Sequence, residues 1–119
     1  GKGIQLYFEI DVFLQTYSPP IQVRKNIYLL LKEAINNAVK YSAAKSIQLS
    51  MKMKEDLILV KLEDDGSGFD KQKVMEGNGI SNMEARAKDL GASLTIQTNP
   101  GNGTTISFQF QIHPIEVLT

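Results

Sequence analysis

Apolar and polar positions alternate from the start of the chain. Ile4, Leu6, Phe8, Ile10, Val12 and Leu14 interleave with Gln5, Tyr7, Glu9, Asp11 and Phe13. A period of two puts the first set on one side of a strand, so a long strand with one buried face is predicted over Ile4–Leu14. Ser18-Pro19-Pro20 ends it and opens a helix, with Ser18 as the expected cap and proline tolerated in the first turn. The period then changes to that of a helix: Ile27, Leu30, Leu31, Ala34, Ile35 and Ala38 form one stripe within a helix from about Ile21 to Ser42. Three one-faced strands follow, marked by Ile47/Leu49/Met51/Met53, by Ile58/Val60/Leu62 and by Leu94/Ile96. The link Lys54-Glu55-Asp56 suits a hairpin between the first two. A polar connector occupies Asp70–Gly79. Behind it a helix turns Ile80, Met83, Ala87 and Leu90 inward and stops at Gly91. The last strand carries Thr104, Ile106, Phe108, Phe110 and Ile112 on one face.

The resulting order is β-α-β-β-α-β-β. One-faced strands and two sizeable helices predict an α/β (α+β) two-layer sandwich, with a mixed, mostly antiparallel five-stranded sheet and the helices packed on one face. A length of 119 residues suits one domain over 1–119 and one core. Thirteen basic and thirteen acidic side chains cancel, so no basic excess points to nucleic acid. Without cysteine no disulfide or thiolate metal site can form, and a single histidine, His113, excludes a multi-histidine site within this chain. No apolar run approaches the roughly 18–20 residues of a membrane span, so no membrane contact by this domain is expected. Gly1-Lys2-Gly3 leads straight into the strand pattern without an initiator methionine. It reads as a domain excised from a longer, cytoplasmic part of a parent protein that could carry a membrane anchor.

Four places break the pattern. Ile58, Val60 and Leu62 lead to Asp64 on the same face, and Asp65-Gly66-Ser67-Gly68-Phe69 turns the chain. A carboxylate at the rim of an apolar row is costly unless something donates to it, and the glycines allow a tight turn and a close ligand. Glu33, Asn37 and Lys40 step by four and three residues and so share a narrow stripe of the long helix. Asn37 offers a neutral oxygen that, with phosphate oxygens and water, can hold Mg²⁺. Glu76-Gly77-Asn78-Gly79-Ile80 opens into a helix, whose free backbone N–H groups suit phosphate. In Asn99-Pro100-Gly101-Asn102-Gly103-Thr104-Thr105, Thr104 turns its hydroxyl to the same side as Ile106 and Phe108. Taken singly, these are also what an Asp-Gly turn, a solvated helix face, a glycine before a helix and a hairpin would give. Together they imply a ligand with a hydrogen-bonding ring and a phosphate tail, Asp64 and Thr104 facing an exocyclic amino group.

Glu33-Ala34-Ile35-Asn36-Asn37-Ala38-Val39-Lys40-Tyr41 resembles the N box of the GHKL superfamily of gyrase, heat-shock chaperone, mismatch-repair and histidine-kinase ATPases. Asp64-Asp65-Gly66-Ser67-Gly68-Phe69 resembles its first glycine box, Gly77-Asn78-Gly79-Ile80 its second, and Gly101-Asn102-Gly103-Thr104-Thr105 its last. Gly79-Ile80-Ser81-Asn82-Met83-Glu84-Ala85-Arg86-Ala87 looks like the lid helix of two-component sensor kinases. The resemblance, spanning about Ile4 to Ile112, implies a Bergerat fold that binds ATP with Mg²⁺ and transfers the γ-phosphoryl to a histidine. It gives Asp64 the adenine contact, Thr104 support beside it, Asn37 the metal, and Lys40 with the Gly77–Gly79 turn the phosphates. Tyr41, Gly66, Gly68 and Ile80 complete the implied ATP-binding set, and Glu33 with Asn37 the catalytic pair. Glu33 activates water in hydrolytic relatives and need not act as a base here.

Tyr41 stands where many relatives have histidine and Asp65 where many have asparagine, with no named role removed. The short lid between Asp70 and Gly77 disfavours the gyrase and chaperone branches. Arg86 on the lid helix has two readings, a phosphate contact or an exposed helix residue, and the exposed position is the one expected. His113 continues the outward set Thr105, Ser107, Gln109 and Gln111, and the resemblance implies a phosphoacceptor on a separate helical dimerisation domain, with a response regulator downstream. An anti-sigma-type serine kinase of the same fold and a nucleotide-gated interaction module without phosphotransfer stay open as alternatives.

Overall fold

A computed structural model of the protein describes residues 3–15, 17–41, 43–67, 79–98, 101 and 103–112, the side chains of Phe13 and Tyr41 apart. The connector, Gly68, Gly77 and His113 lie outside these residues. The chain forms β1 (Gln5–Ile10), α1 (Val12–Gln15), α2 (Ile21–Tyr41), β2 (Ser46–Lys54), β3 (Leu57–Asp64), α3 (Gly79–Asp89), β4 (Ser93–Thr98) and β5 (Thr104–Gln111). The five strands make one sheet in the order β1-β2-β3-β5-β4. β1 runs parallel to β2, and the other pairs are antiparallel. This is the mixed, mostly antiparallel α/β sandwich that the pattern predicts.

The two long helices pack on each other and on the central part of the sheet. Leu30 and Met83, one from each helix, are wholly buried among Ile47, Ile58, Val60, Leu62, Ile106, Phe108 and Phe110. Alternate residues of β3 and β5 fill this core, as a period of two requires. The opposite face of the sheet is polar, with Gln48, Ser50, Lys52, Lys61, Glu63, Ser107 and Gln109. The sheet's twist makes a concavity of about 500 Å³ there. It lies across the sheet from Asp64 and is a solvated surface rather than the site. No helix among the described residues is long and apolar enough to cross a membrane.

Three expectations need correction at the start of the chain. The long strand ends at Ile10, and Val12–Gln15 forms a one-turn helix instead. The Asp11 carbonyl accepts from Leu14 N–H at 2.9 Å, and the Asp11 carboxylate accepts from Met53 N–H at 3.3 Å, so Asp11 turns the chain. The apolar set is also largely open: Leu6 and Phe8 (65% exposed) on the strand, and Val12 (73%) at the start of α1, are exposed. β1 is an edge strand that packs chiefly on β2, and the helices sit over the other strands. Pro20, rather than Ser18, takes the capping position of α2, because its carbonyl accepts the first turn's bond from Arg24 N–H at 3.0 Å.

The remaining boundaries agree with the pattern. Glu55 adopts a positive φ of 57° in the two-residue turn from β2 to β3. Gly91 ends α3 at φ 69°, with its N–H on the Lys88 carbonyl (2.9 Å) and that of Ala92 on the Ala87 carbonyl (2.8 Å). This is the paired arrangement that favours glycine after a helix.

Burial differs sharply between two phenylalanines, which makes a direct test. Phe108→Ala should lower unfolding free energy by about 3–5 kcal/mol, whereas Phe8→Ala should change it by about 0.5 kcal/mol or less. Urea titrations of both variants would measure this. Equal losses would mean that the face of β1 is covered.

Candidate functional site

The strand register assembles a cross-sheet row at one end of the molecule. Leu6 pairs with Ile47, Ile47 with Asp64, Asp64 with Thr104, and Thr104 with Thr98. The row lies on the helix-bearing face, and its last three members are polar. Thr104 is 3% exposed and Asp64 half-buried. The Asp64 carboxylate accepts from Gly66 N–H at 2.8 Å, which fixes one oxygen against the glycine turn. Thr104 donates its hydroxyl hydrogen to Thr98 Oγ1 at 3.0 Å.

Connectivity brings both helices to the same end. α2 leads into β2 through residues 43–45, with Ala44 N–H on the Ala38 carbonyl (3.3 Å), so its last turns lie near Ile47. α3 returns into β4 through the tight Gly91 turn and packs on it. β4 runs from Ser93, opposite Gln109, to Thr98, opposite Thr104. The start of α3 at Gly79 is thereby directed back toward Thr98 and Thr104. Ile80 is buried and anchors that start to the core.

Asn37 is 4% exposed, and its Nδ2 has no hydrogen-bond partner among the described residues. A buried donor left unmatched costs about 1–3 kcal/mol. An incoming oxygen, such as that of a phosphate, would satisfy it, and rotation of the amide would present Oδ1 to a cation instead. Glu33, one turn earlier, is half-buried, and Lys40, one turn later, is exposed. Among the described residues no group of three or more His, Cys, Asp or Glu could hold a metal. The Asn37 amide oxygen, together with oxygens of a ligand, fits a cation at this place.

Four residues of the site's frame hold it through contacts that the motifs do not specify. Asp65 clips the start of β2 to the end of β3: its Oδ1 accepts from Lys45 and Ser46 N–H, both at 2.9 Å, and its Oδ2 from the Ser46 hydroxyl at 2.9 Å. These donors, the Ser46 amide first, hold its pKa below the ordinary aspartate value. Gly103, at φ 77°, lies so close to Asp64 that an added Cβ would overlap the Asp64 carbonyl oxygen and approach Oδ1 to 3.6 Å. Gly101 N–H donates to the Ser67 carbonyl and ties the β4–β5 turn to the glycine turn after β3. Thr98 extends the alternation of Leu94 and Ile96, and that was its signal in the sequence. Asp65 had none beyond an acid pair before a glycine.

The other predicted residues are placed as follows. Gly66 sits in the turn, Tyr41 ends α2, and Gly79 begins α3. Gly68 and Gly77 lie outside the described residues, as does the lid expected between Asp70 and Gly77. Arg86 is partly buried rather than exposed, since α3 packs on both α2 and β4.

Comparison with known proteins gives a consistent result. Residues 22–114 match the model of the family described as histidine kinase-, DNA gyrase B-, and HSP90-like ATPase. Sensor protein VraS of Staphylococcus aureus (strain COL) is 29% identical over 94 residues, 78% of this chain and 27% of the relative. Sensor protein VraS of Staphylococcus epidermidis is 27% identical over 104 residues, 87% of this chain and 30% of the relative. The chain thus spans less than a third of these relatives. The histidine kinase domain of the Erythrobacter litoralis EL346 blue-light activated histidine kinase superposes with a TM-score of 0.77 at 25% identity, covering 92% of this chain and 52% of that one. Acinetobacter baumannii histidine kinase AdeS shares the fold with a TM-score of 0.66 at 21% identity, covering 92% of this chain and 56% of that one.

The Asp65 clip makes stability depend on acid in a defined window. Its depressed pKa means that the charged form favours folding. The contribution is complete above the unfolded-state value of about 3.9 and is lost as pH falls through the lower folded value. Asp65→Asn should therefore melt below wild type at neutral pH, and the two curves should converge toward pH 2. Melting temperatures across that range measure this; parallel curves would show that the charge contributes nothing.

Proposed function

Because this chain belongs to the histidine kinase-, DNA gyrase B- and HSP90-like ATPase family, we propose that it is the ATP-binding catalytic domain of a sensor histidine kinase. Binding of ATP follows from the family. The finer assignment extends to this chain what its relatives' names say of them. The observation that carries the reading is the buried Asn37 Nδ2, without a hydrogen-bond partner among the described residues, on the helix where ligand phosphates would arrive.

In this reading the adenine amino group donates to the Asp64 carboxylate, with Thr104 beside it on the neighbouring strand. The phosphates extend toward α2 and the start of α3. Lys40 supplies a mobile positive charge there, and the first N–H groups of α3 supply fixed donors. Asn37, together with phosphate oxygens, would hold Mg²⁺, which when bound neutralises charge on the phosphates. Gly66, Gly68 and Gly77 let backbone approach the nucleotide, and Tyr41 and Ile80 border it.

The reaction is an in-line transfer. An imidazole nitrogen of a separate helical phosphoacceptor domain forms the new P–N bond while the bond from the γ-phosphorus to the β–γ bridging oxygen breaks, and ADP leaves. The attacking nitrogen brings a lone pair, so no proton need be removed before attack, and Glu33 orders the site rather than acting as an obligatory base. The domain's own contribution is positioning and charge stabilisation. The dimerising partner domain, the downstream response regulator, the one-domain extent of 1–119 and a cytoplasmic placement are parts of the same proposal.

Two outcomes test it. Asn37→Ala should weaken Mg-ATP binding roughly ten- to hundredfold while leaving adenosine nearly unaffected; calorimetry showing equal losses would make Asn37 a scaffold residue. With radiolabelled ATP, this chain alone should stay unlabelled and should place acid-labile label on the histidine of its cognate helical domain added in trans. Acid-labile label on this chain, which holds only His113, would contradict the division of labour. Acid-stable label on a partner serine would instead favour an anti-sigma-type kinase.

A further inference from the structure

Resting on the adenine-pocket reading above, we infer that Thr98 is a specificity-determining positioning residue: it orients the Thr104 hydroxyl so that the pocket accepts a 6-amino purine and rejects a 6-oxo purine. Thr98 and Thr104 are cross-strand partners at the site end of β4 and β5. Their oxygens are 3.0 Å apart, with Thr104 donating. Thr104 is itself paired with Asp64 on the other side and is 3% exposed. A hydroxyl carries one hydrogen and two lone pairs. With the hydrogen directed along the sheet to Thr98, Thr104 turns lone pairs elsewhere, and its neighbour Asp64 is an acceptor as well. Two acceptors side by side match an amino group, which has two hydrogens to give. They oppose a ring carbonyl, which has none.

Asp64 alone would leave this polarity incomplete. A Thr104 hydroxyl free to rotate could donate to a 6-oxo group and recover part of the lost binding. The bond to Thr98 uses that hydrogen within the protein, in a buried setting where water does not compete for it. Thr98 touches no ligand in this account and acts only through Thr104.

Calorimetry of this chain with Mg-ATP and Mg-ITP separates the possibilities, since the two nucleotides differ at purine position 6, amino against oxo, and at the adjoining N1, an acceptor in ATP and an N–H donor in ITP; the variants at Thr98 and Thr104 are compared on the same pair. Wild type should prefer ATP. Thr98→Val keeps the β-branched shape and removes the hydroxyl, and it should shrink the ATP-to-ITP affinity ratio by about three- to tenfold. Thr98→Ser should retain the wild-type ratio. In a Thr104→Val background, Thr98→Val should have no further effect on the ratio, because the group it orients is gone. An unchanged ratio in Thr98→Val, loss of discrimination in Thr98→Ser, or additive effects in the double variant would each overturn the role of Thr98. If Thr98→Val and Thr98→Ala both lose the thermal transition, Thr98 is a folding residue and the inference fails. Equal binding of ATP and ITP by wild type would overturn the adenine-pocket reading itself, a failure distinct from any result with Thr98.

Discussion

The β3–β5 register, which sets Asp64 opposite Thr104, is the constraint on which the candidate site depends. Side chains alternate across a strand, so a slip of either strand by one residue would send its own polar group to the solvated face, bringing Glu63 in place of Asp64 or Thr105 in place of Thr104. The register is held along its length by the buried set Ile58, Val60, Leu62, Ile106, Phe108 and Phe110. A slip of either strand would turn its own three of these outward. Core packing thereby positions two polar side chains that contribute little to the core.

The same end of the sheet is held by backbone contacts that leave little slack. Asp65 ties β2 to β3, Gly101 ties the β4–β5 turn to Ser67, and Gly103 lets that turn lie against the Asp64 backbone. A methyl group at Gly103 would meet the Asp64 carbonyl as well as an unfavourable φ, so the glycine is required there for two independent reasons. Against this well-tied frame, Asn37 Nδ2, unmatched among the described residues, stands out as a local cost that a ligand can offset.

Much of this was legible in the chain. The period-two runs of β2, β3 and β5 and the α3 stripe ending at Gly91 gave elements and faces together, because burial on one side leaves a regular pattern. The placement of Asp64 and Thr104 at the rim followed from continuing those runs by one step. The N-terminal run misled because alternation reports which residues share a face, not whether anything covers it. Leu6 and Phe8 alternate as a buried set would, yet lie on an edge strand beyond the helices. Asp65 and Thr98 were hidden for a different reason. Their partners, Lys45 with Ser46 and Thr104, lie on other segments, and only the three-dimensional register brings them together.

The central claim is that the Asp64–Thr104 row receives the adenine ring while Asn37 faces the phosphates. A crystal structure of this chain with a non-hydrolysable ATP analogue and Mg²⁺ tests it most directly. The account predicts the adenine amino nitrogen within hydrogen-bond distance of the Asp64 carboxylate, roughly 2.7–3.2 Å, and the Asn37 side chain toward the phosphates or their cation. A nucleotide bound with its ring away from Asp64, or with Asn37 turned from the phosphates, would contradict it.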